Sequence, residues 1–371
     1  PIVPLHLAIS PLSAIAGMMI PGNKSLYLTN RVRAIEAVPY DKKITYSAKI
    51  VALNESNQVI DLRVLLLDKG KLLVEAEMVV QVREDVNTDW VSNYSEYHKV
   101  STVPRPTVLV VGALGGIGQS VCYALAKKGI SILLHYRPGR KKDALALAEN
   151  LRKFGTRIEI IAADLEEQKS IELMVRQILK KETITALVHL ASPSVHDSMK
   201  KNMAINYQSL VTLLDALTPR WLTQQTGRVV YVGSSAVEYF PEGWENYIAA
   251  KLAASRYLLA WHGKYSKYDI EGRVVSPGYV KTSFSDSLRK EGAGVLLPEQ
   301  VSELILKVLL EDSGSEQPYL WLEASGLRRG KWGFFTQQSS KTSKSSVGSV
   351  NSPSVAVSDP LPNCNEPIED L

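Results

Sequence analysis

Apolar positions along the chain fall into three textures. From residue 2 to residue 17 they recur at helical spacing. Three segments follow, 43–53, 59–67 and 72–82, in which β-branched and polar residues alternate. Turn-forming runs, Asn54-Glu-Ser-Asn57 and Asp68-Lys-Gly70, divide them. The pattern predicts a helix and then an antiparallel meander within a first module, residues 1–98. Ser101-Thr-Val-Pro-Arg-Pro106 carries two prolines, so 99–106 reads as an extended linker.

From 107 to 330 the period changes. Short apolar runs at 107–111, 131–136, 157–162, 186–190, 227–232 and 271–275 alternate with amphipathic stretches such as 119–128 and 141–154. This order predicts an α/β domain, a doubly wound parallel sheet of Rossmann type with helices on both faces. Val108 to Val111 are apolar throughout, as a strand buried on both faces requires. Beyond Thr336 the chain turns polar and Ser-rich, and 336–371 reads as a disordered tail with an acidic end.

Composition narrows the function. The chain has 371 residues, 45% hydrophobic and 22% charged, which excludes wholesale disorder and fibrous architectures. Its length suffices for sizeable cores without covalent staples. Cys122 and Cys364 are the only cysteines, too few for a disulfide framework, so a reducing, cytoplasmic setting is expected. Cys and His are too few for a zinc site, and no metal is expected. No run of about 18 apolar residues suggests a membrane span. Residues 2–20 lack a basic n-region and contain Pro4, His6 and Pro11, unlike a signal peptide. The net charge of +5 is spread along the chain rather than gathered in the stripe that nucleic-acid binding uses. It suits anionic partners: phosphates, nucleotides or an acidic carrier protein. A first residue of Pro rather than Met points to a chain processed or cut from a longer polypeptide.

Val111-Gly-Ala-Leu-Gly-Gly-Ile-Gly118 joins a predicted strand to a predicted helix. Glycines at 112, 116 and 118 let the backbone turn tightly and approach a pyrophosphate, which the helix N-terminus would face. The second strand ends in His135-Tyr-Arg137 with no Asp for ribose hydroxyls; Arg137 can instead pair with a 2′-phosphate, favouring NADP(H). Further on, Ser234 follows a strand, Tyr247 comes thirteen positions later, and Lys251 four after that on a helix. Positions i and i+4 share a helix face, so phenol and ammonium point into one cleft. An ammonium beside the phenol favours phenolate, bringing its pKa toward the working range of an acid–base catalyst.

These residues, in this order and spacing, resemble the short-chain dehydrogenase/reductase family over about 107–327. The resemblance implies dinucleotide binding by Gly112, Gly116, Ile117 and Gly118. It implies an adenine contact from Asp164 and a cofactor rim that includes Ala191. It makes Ser234, Tyr247, Lys251 and Asn206 the catalytic tetrad, with Lys251 also on the nicotinamide ribose. Ser276-Pro-Gly-Tyr-Val-Lys-Thr282 matches the segment beside the nicotinamide, so Pro277, Gly278, Val280 and Thr282 inherit that place. The chain departs from the pattern at three places. Val111 stands where Thr is usual, and Gly115 where many NADP-dependent relatives carry a second basic residue. His189-Leu-Ala-Ser192 replaces Asn-Asn-Ala-Gly, losing both asparagines. Aromatic residues at 239, 240 and 244 suggest a substrate wall, and 283–295, with Leu288, Gly292, Gly294 and Val295, suggests a lid.

Residues 1–84 resemble a MaoC-like hotdog hydratase more loosely, through the helix, the Ile20-Pro-Gly22 turn and the closing strands. The hydratase's Asp/His segment is missing, so an incomplete, non-catalytic module is expected, with His6 the only remnant base. The two resemblances together imply NADPH-dependent reduction of a 3-oxoacyl thioester, on CoA or an acyl carrier protein, by a homo-oligomer. Reduction of a polyketide, sugar or steroid ketone is the alternative, as is a nucleotide-binding scaffold without activity.

Overall fold

The computed structural model describes residues 1–22, 25–83, 107–180, 184–285, 294–310, 318–324 and 326–328. The expected linker at 99–106 and tail at 336–371, with Cys364, lie outside the described residues. The first module opens with two single-turn helices, α1 (Leu5–Ala8) and α2 (Pro11–Ala14), and a π-type turn, Ile15–Met19. One continuous helix was the expectation. Pro11 begins α2 at its first position and has no N–H to offer the ladder of α1, so the helical run is divided there.

Four antiparallel strands follow: β1 (Ser25–Ala34), β2 (Ile44–Asn54), β3 (Val59–Asp68) and β4 (Lys71–Val82), in the order β1-β4-β3-β2. The last three are the expected meander. One face carries Ile60, Leu62, Val64 and Leu66, packed with Leu12, Ile15 and Ala16 of the helical segment. Leu65 and Leu67 point the other way and are equally sealed.

Eight strands build the second sheet: β5 (Thr107–Val111), β6 (Ser131–Tyr136), β7 (Ile158–Ala162), β8 (Ile184–His189), β9 (Gly227–Val232), β10 (Ile270–Pro277), β11 (Tyr319–Glu323) and β12 (Gly326–Arg328). Their order is β12-β11-β10-β9-β8-β5-β6-β7; the first seven in sequence run parallel and β12 folds back antiparallel on β11. Helices α3 (Gly116–Lys127), α4 (Lys141–Arg152), α5 (Gln168–Lys180), α6 (Met199–Asn202), α7 (Ser209–Gln224), α8 (Ala236–Tyr239), α9 (Glu245–Tyr265) and α10 (Pro298–Leu310) complete it. Every residue of β5 and β6 is buried. The strand order reverses between β5 and β8, which opens a crevice at their carboxyl ends.

The first sheet is fastened to the opposite, amino ends of these strands. Lys49 Nζ lies 2.5 Å and Arg63 2.8 Å from the Asp269 carboxylate, one residue before β10. Gln225, which ends α7 in a left-handed conformation, receives Arg63 Nε at 2.7 Å and donates to Ser47 O at 2.9 Å. Tyr268 donates to Glu75 at 2.5 Å and Lys267 reaches it at 2.8 Å. The β3–β4 turn presses on α7: a Cβ on Gly70 would stand 2.4 Å from the Pro219 ring, and its φ is +85°. Among the described residues, no helix is long and apolar enough to cross a membrane.

Candidate active site

A cleft of about 1170 Å³ opens at the carboxyl ends of the parallel strands. Gly112, Gly116, Ile117, Gly118, Arg137 and Asp164 line one end. Ser234, Tyr247, Lys251, Ala191 and the 277–282 segment (Pro277, Gly278, Val280 and Thr282) line the rest. Asn206 does not reach it; that side chain is fully buried in the π-type turn Met203–Gln208 behind the wall.

The loop end suits a dinucleotide. Gly112 has φ +88°, and a Cβ there would meet Ala191 N at 2.6 Å. A Cβ on Gly116 would strike Thr282 Cγ2 at 2.6 Å, so the loop and the 277–282 segment close on each other without side chains between them. The first-turn N–H groups of α3 have no intrahelical acceptor and lie at the cleft, a ready site for phosphate oxygens. Ser192 Oγ is buried in the cleft wall without a partner, a hydroxyl available to a bound ribose or phosphate. The residues present therefore fit a nicotinamide dinucleotide. Sequence reasoning missed His135 as a brace. Its Nδ1 accepts from Gly112 N–H at 3.3 Å and its Nε2 meets Ala163 O at 3.1 Å. Burial pushes it down to about 4, so the ring is neutral.

Arg137 is 63% exposed and stands 3.7 Å from Asp164 and 3.6 Å from Glu166. Two carboxylates thus hold it loosely at the rim. Arg140 also lines this end and pairs with Asp143.

At the other end, α9 carries Tyr247 and Lys251 on one face, both buried. Ser234 Oγ accepts from Ala236 N–H at 3.2 Å and, beside the phenol of Tyr247, favours its ionised form. Ser235, the other serine after β9, instead donates its N–H to Pro277 O at 3.0 Å. Lys251 Nζ donates to Val232 O at 2.8 Å and lies 5.6 Å from the Tyr247 ring centroid. Burial pushes the phenol up to about 12, partly offset by Ser234. Burial likewise pushes Lys251 down to about 7. The expected lowering of the phenol by its ammonium is therefore outweighed: both charged forms lose water, and each group moves toward neutrality.

His189 occupies the position of a lost asparagine. Its Nε2 lies 2.8 Å from Ser209 Oγ, which itself donates to Ile205 O at 2.6 Å, so Nε2 carries the proton. Its Nδ1 is buried without a partner, and burial pushes the ring down to about 3. Leu190 N–H still donates to Val111 O at 2.8 Å, so β5 and β8 stay joined without either asparagine.

Residues 106–293, half of the chain, match the family described as short chain dehydrogenase. The protein is a member of that family. This short-chain dehydrogenase is 23% identical over 195 residues to the 3-oxoacyl-[acyl-carrier-protein] reductase FabG of Staphylococcus aureus, covering 50% of the chain and 78% of the relative. It is 25% identical to the acetoacetyl-CoA reductase of Allochromatium vinosum over 186 residues, 48% of the chain and 76% of the relative. Among solved structures, a 3-oxoacyl (acyl-carrier-protein) reductase from Agrobacterium tumefaciens C58 with NADP bound superposes with a TM-score of 0.54 at 21% identity. It covers 59% of this chain and 93% of that one, a likeness of fold.

The remaining wall of this short-chain dehydrogenase is aromatic. Tyr239, Trp244 and Phe284 line it, and Trp244 meets Tyr247 edge-on at 5.9 Å between centroids. One carboxylate interrupts it: Glu323, at the end of β11, 3.3 Å from Tyr239 OH. Nothing in the sequence marked Glu323, because β11 itself was not predicted. Of the expected lid, Gly294 lies at the cleft, while Leu288 and Gly292 fall outside the described residues.

Proposed function

We propose that the protein reduces the keto group of a 3-oxoacyl thioester, carried on CoA or an acyl carrier protein, to the 3-hydroxyacyl product with NADPH. The observation that carries this reading is the Ser234–Tyr247–Lys251 arrangement, its phenol and ammonium buried, in a cleft that an anion-binding loop also lines. Bound NADPH would supply a hydride to the carbonyl carbon. Tyr247, protonated at neutral pH by its burial, gives its proton to the developing alkoxide. Ser234 donates to the same oxygen, holding it within reach of the phenol. Lys251 stands beside the phenol and steadies the phenolate left behind; it also holds the nicotinamide ribose. Asn206 acts from behind the wall, positioning a relay water rather than touching substrate.

Gly112, Gly116, Ile117 and Gly118 hold the pyrophosphate, and Asp164 the adenine edge. Ala191, Pro277, Gly278, Val280 and Thr282 enclose the nicotinamide half. Arg137 turns from Asp164 and Glu166 to a 2′-phosphate, which offers two charges against their separate long contacts. The relatives named for 3-oxoacyl and acetoacetyl thioesters support the substrate class, and the aromatic wall suits an acyl chain. The amino-terminal sheet is read as an incomplete hotdog module that packs and dimerises. His6 is exposed on a single helical turn, without the shelter a hydratase base needs. A homo-oligomer in the cytoplasm completes the reading.

A ketone panel tests it: kcat/KM for acetoacetyl-CoA should exceed that for sugar, steroid and simple aliphatic ketones by about 100-fold or more, the advantage of a pocket that binds the acyl thioester beyond its carbonyl. Equal or better use of a non-thioester ketone would overturn the substrate assignment.

A further inference from the structure

The buried groups behind Lys251 form a set that the proposed reaction leaves unexplained. Tyr231, on β9, has no solvent exposure. Lys251 Nζ stands 4.9 Å from the centroid of its ring. Its hydroxyl donates to Asn206 Oδ1 at 3.4 Å. Asn206 Nδ2 then donates to Asn202 O at 3.2 Å, and Asn202 Nδ2 to Asp197 O at 3.0 Å, where the chain of bonds reaches the rim of the cleft. Among the described residues, the groups facing Lys251 are few. Tyr247 shares its helix, Tyr231 comes from β9 and His189 from β8, where its ring lies 5.6 Å from that of Tyr231. None of these is a carboxylate. A buried ammonium with one carbonyl acceptor and no counter-ion needs another source of negative potential, and the face of an aromatic ring supplies one.

We propose that Tyr231 is a positioning residue for the reduction: its ring face holds the Lys251 ammonium while its hydroxyl ties the same corner to Asn206. The inference rests on the functional reading above, and deepens it. The ring favours the charged form of Lys251 at a place where exclusion of water works against it. The hydroxyl fixes Asn206, so that lysine and asparagine keep a constant spacing while the phenol of Tyr247 gives and regains its proton. His189 suits this arrangement because burial keeps it neutral, and a second cation beside Lys251 is avoided.

The test separates ring from hydroxyl. In the cofactor-free full chain, the side-chain carbon signal of Lys251, identified by its loss in Lys251→Met, is titrated by NMR. Tyr231→Phe keeps the ring; Tyr231→pentafluorophenylalanine keeps its shape and reverses the charge of its face. The fluorinated protein should titrate Lys251 about one pH unit lower than Tyr231→Phe, since loss of the attraction favours the neutral amine. Identical titrations would overturn the ring's role, and this readout needs no turnover, so it stands apart from the identity of the ketone. For the hydroxyl, Tyr231→Phe should lower kcat about three- to ten-fold, with NADPH affinity unchanged and the alkaline limb of the pH profile in place. An unchanged kcat would overturn the link to Asn206.

Discussion

Tyr247 and Lys251 sit four positions apart on α9, and burial drives them in opposite directions, the phenol up to about 12 and the ammonium down to about 7. A phenol so raised is the right form to give a proton. Arg137→Asp should weaken NADPH by about 10- to 100-fold and NADH by less than about three-fold, measured by fluorescence titration, because only the 2′-phosphate loses a charged partner. Two buried imidazoles make a second prediction. His135 and His189 are lowered by burial to about 4 and about 3, while in the unfolded chain each titrates near 6.5. The unfolded state therefore binds more protons between those values. Stability measured by urea unfolding should fall as pH drops from about 6.5 toward 4, with the slope reduced in His135→Gln. At this scale the sequence was legible where chemistry depends on spacing: the glycine loop, Ser234, Tyr247 and Lys251 all line one cleft. It was silent on Tyr231, which lies in an apolar run and looks like core, and on Glu323, whose strand carries no periodic signal.

Elements behaved as their side-chain periods required, with three exceptions. β1 went unpredicted because most of its residues stay exposed and its polar positions break the alternation. The helical stretch at 2–17 is divided because Pro11 lacks a donor. β11 and β12 were missed because they are short and follow the last strong strand signal. The contacts between the sheets were invisible for a different reason: they join residues about 200 positions apart, through charges with no pattern of their own. Partial burial alone would raise the Asp269 carboxyl, but the bond from Lys49 and the charge of Arg63 outweigh it and hold it below the usual range. A depressed carboxylate contributes stability above its unfolded pKa and loses it as pH falls through the folded one. Asp269→Asn should lower Tm by a few degrees at pH 7, and the difference from wild type should shrink as pH falls below about 4. The pair is partly exposed, so each contact contributes at most about 1 kcal/mol. Gly70→Val should cost more, about 2 kcal/mol or above by urea unfolding, since it meets the Pro219 ring and a positive φ at once.

At the scale of the whole molecule, two layers divide the work. The first sheet grips the amino ends of the parallel strands, and the cleft opens at their carboxyl ends, so the module braces the domain without lining its site. A crotonyl thioester offered without cofactor should accordingly remain unhydrated, and His6→Ala should change nothing. Hydration that disappears with His6 would restore the module to catalysis. Tyr247 as the acid of a ketone reduction is the assignment on which the proposed function turns. It is tested most directly by following NADPH oxidation with acetoacetyl-CoA in the wild type and in Tyr247→Phe, with NADPH affinity measured on both. The wild type should turn over, the variant should lose about 100-fold or more in kcat, and NADPH binding should stay within about two-fold of wild type. Turnover that survives the loss of the hydroxyl would contradict it.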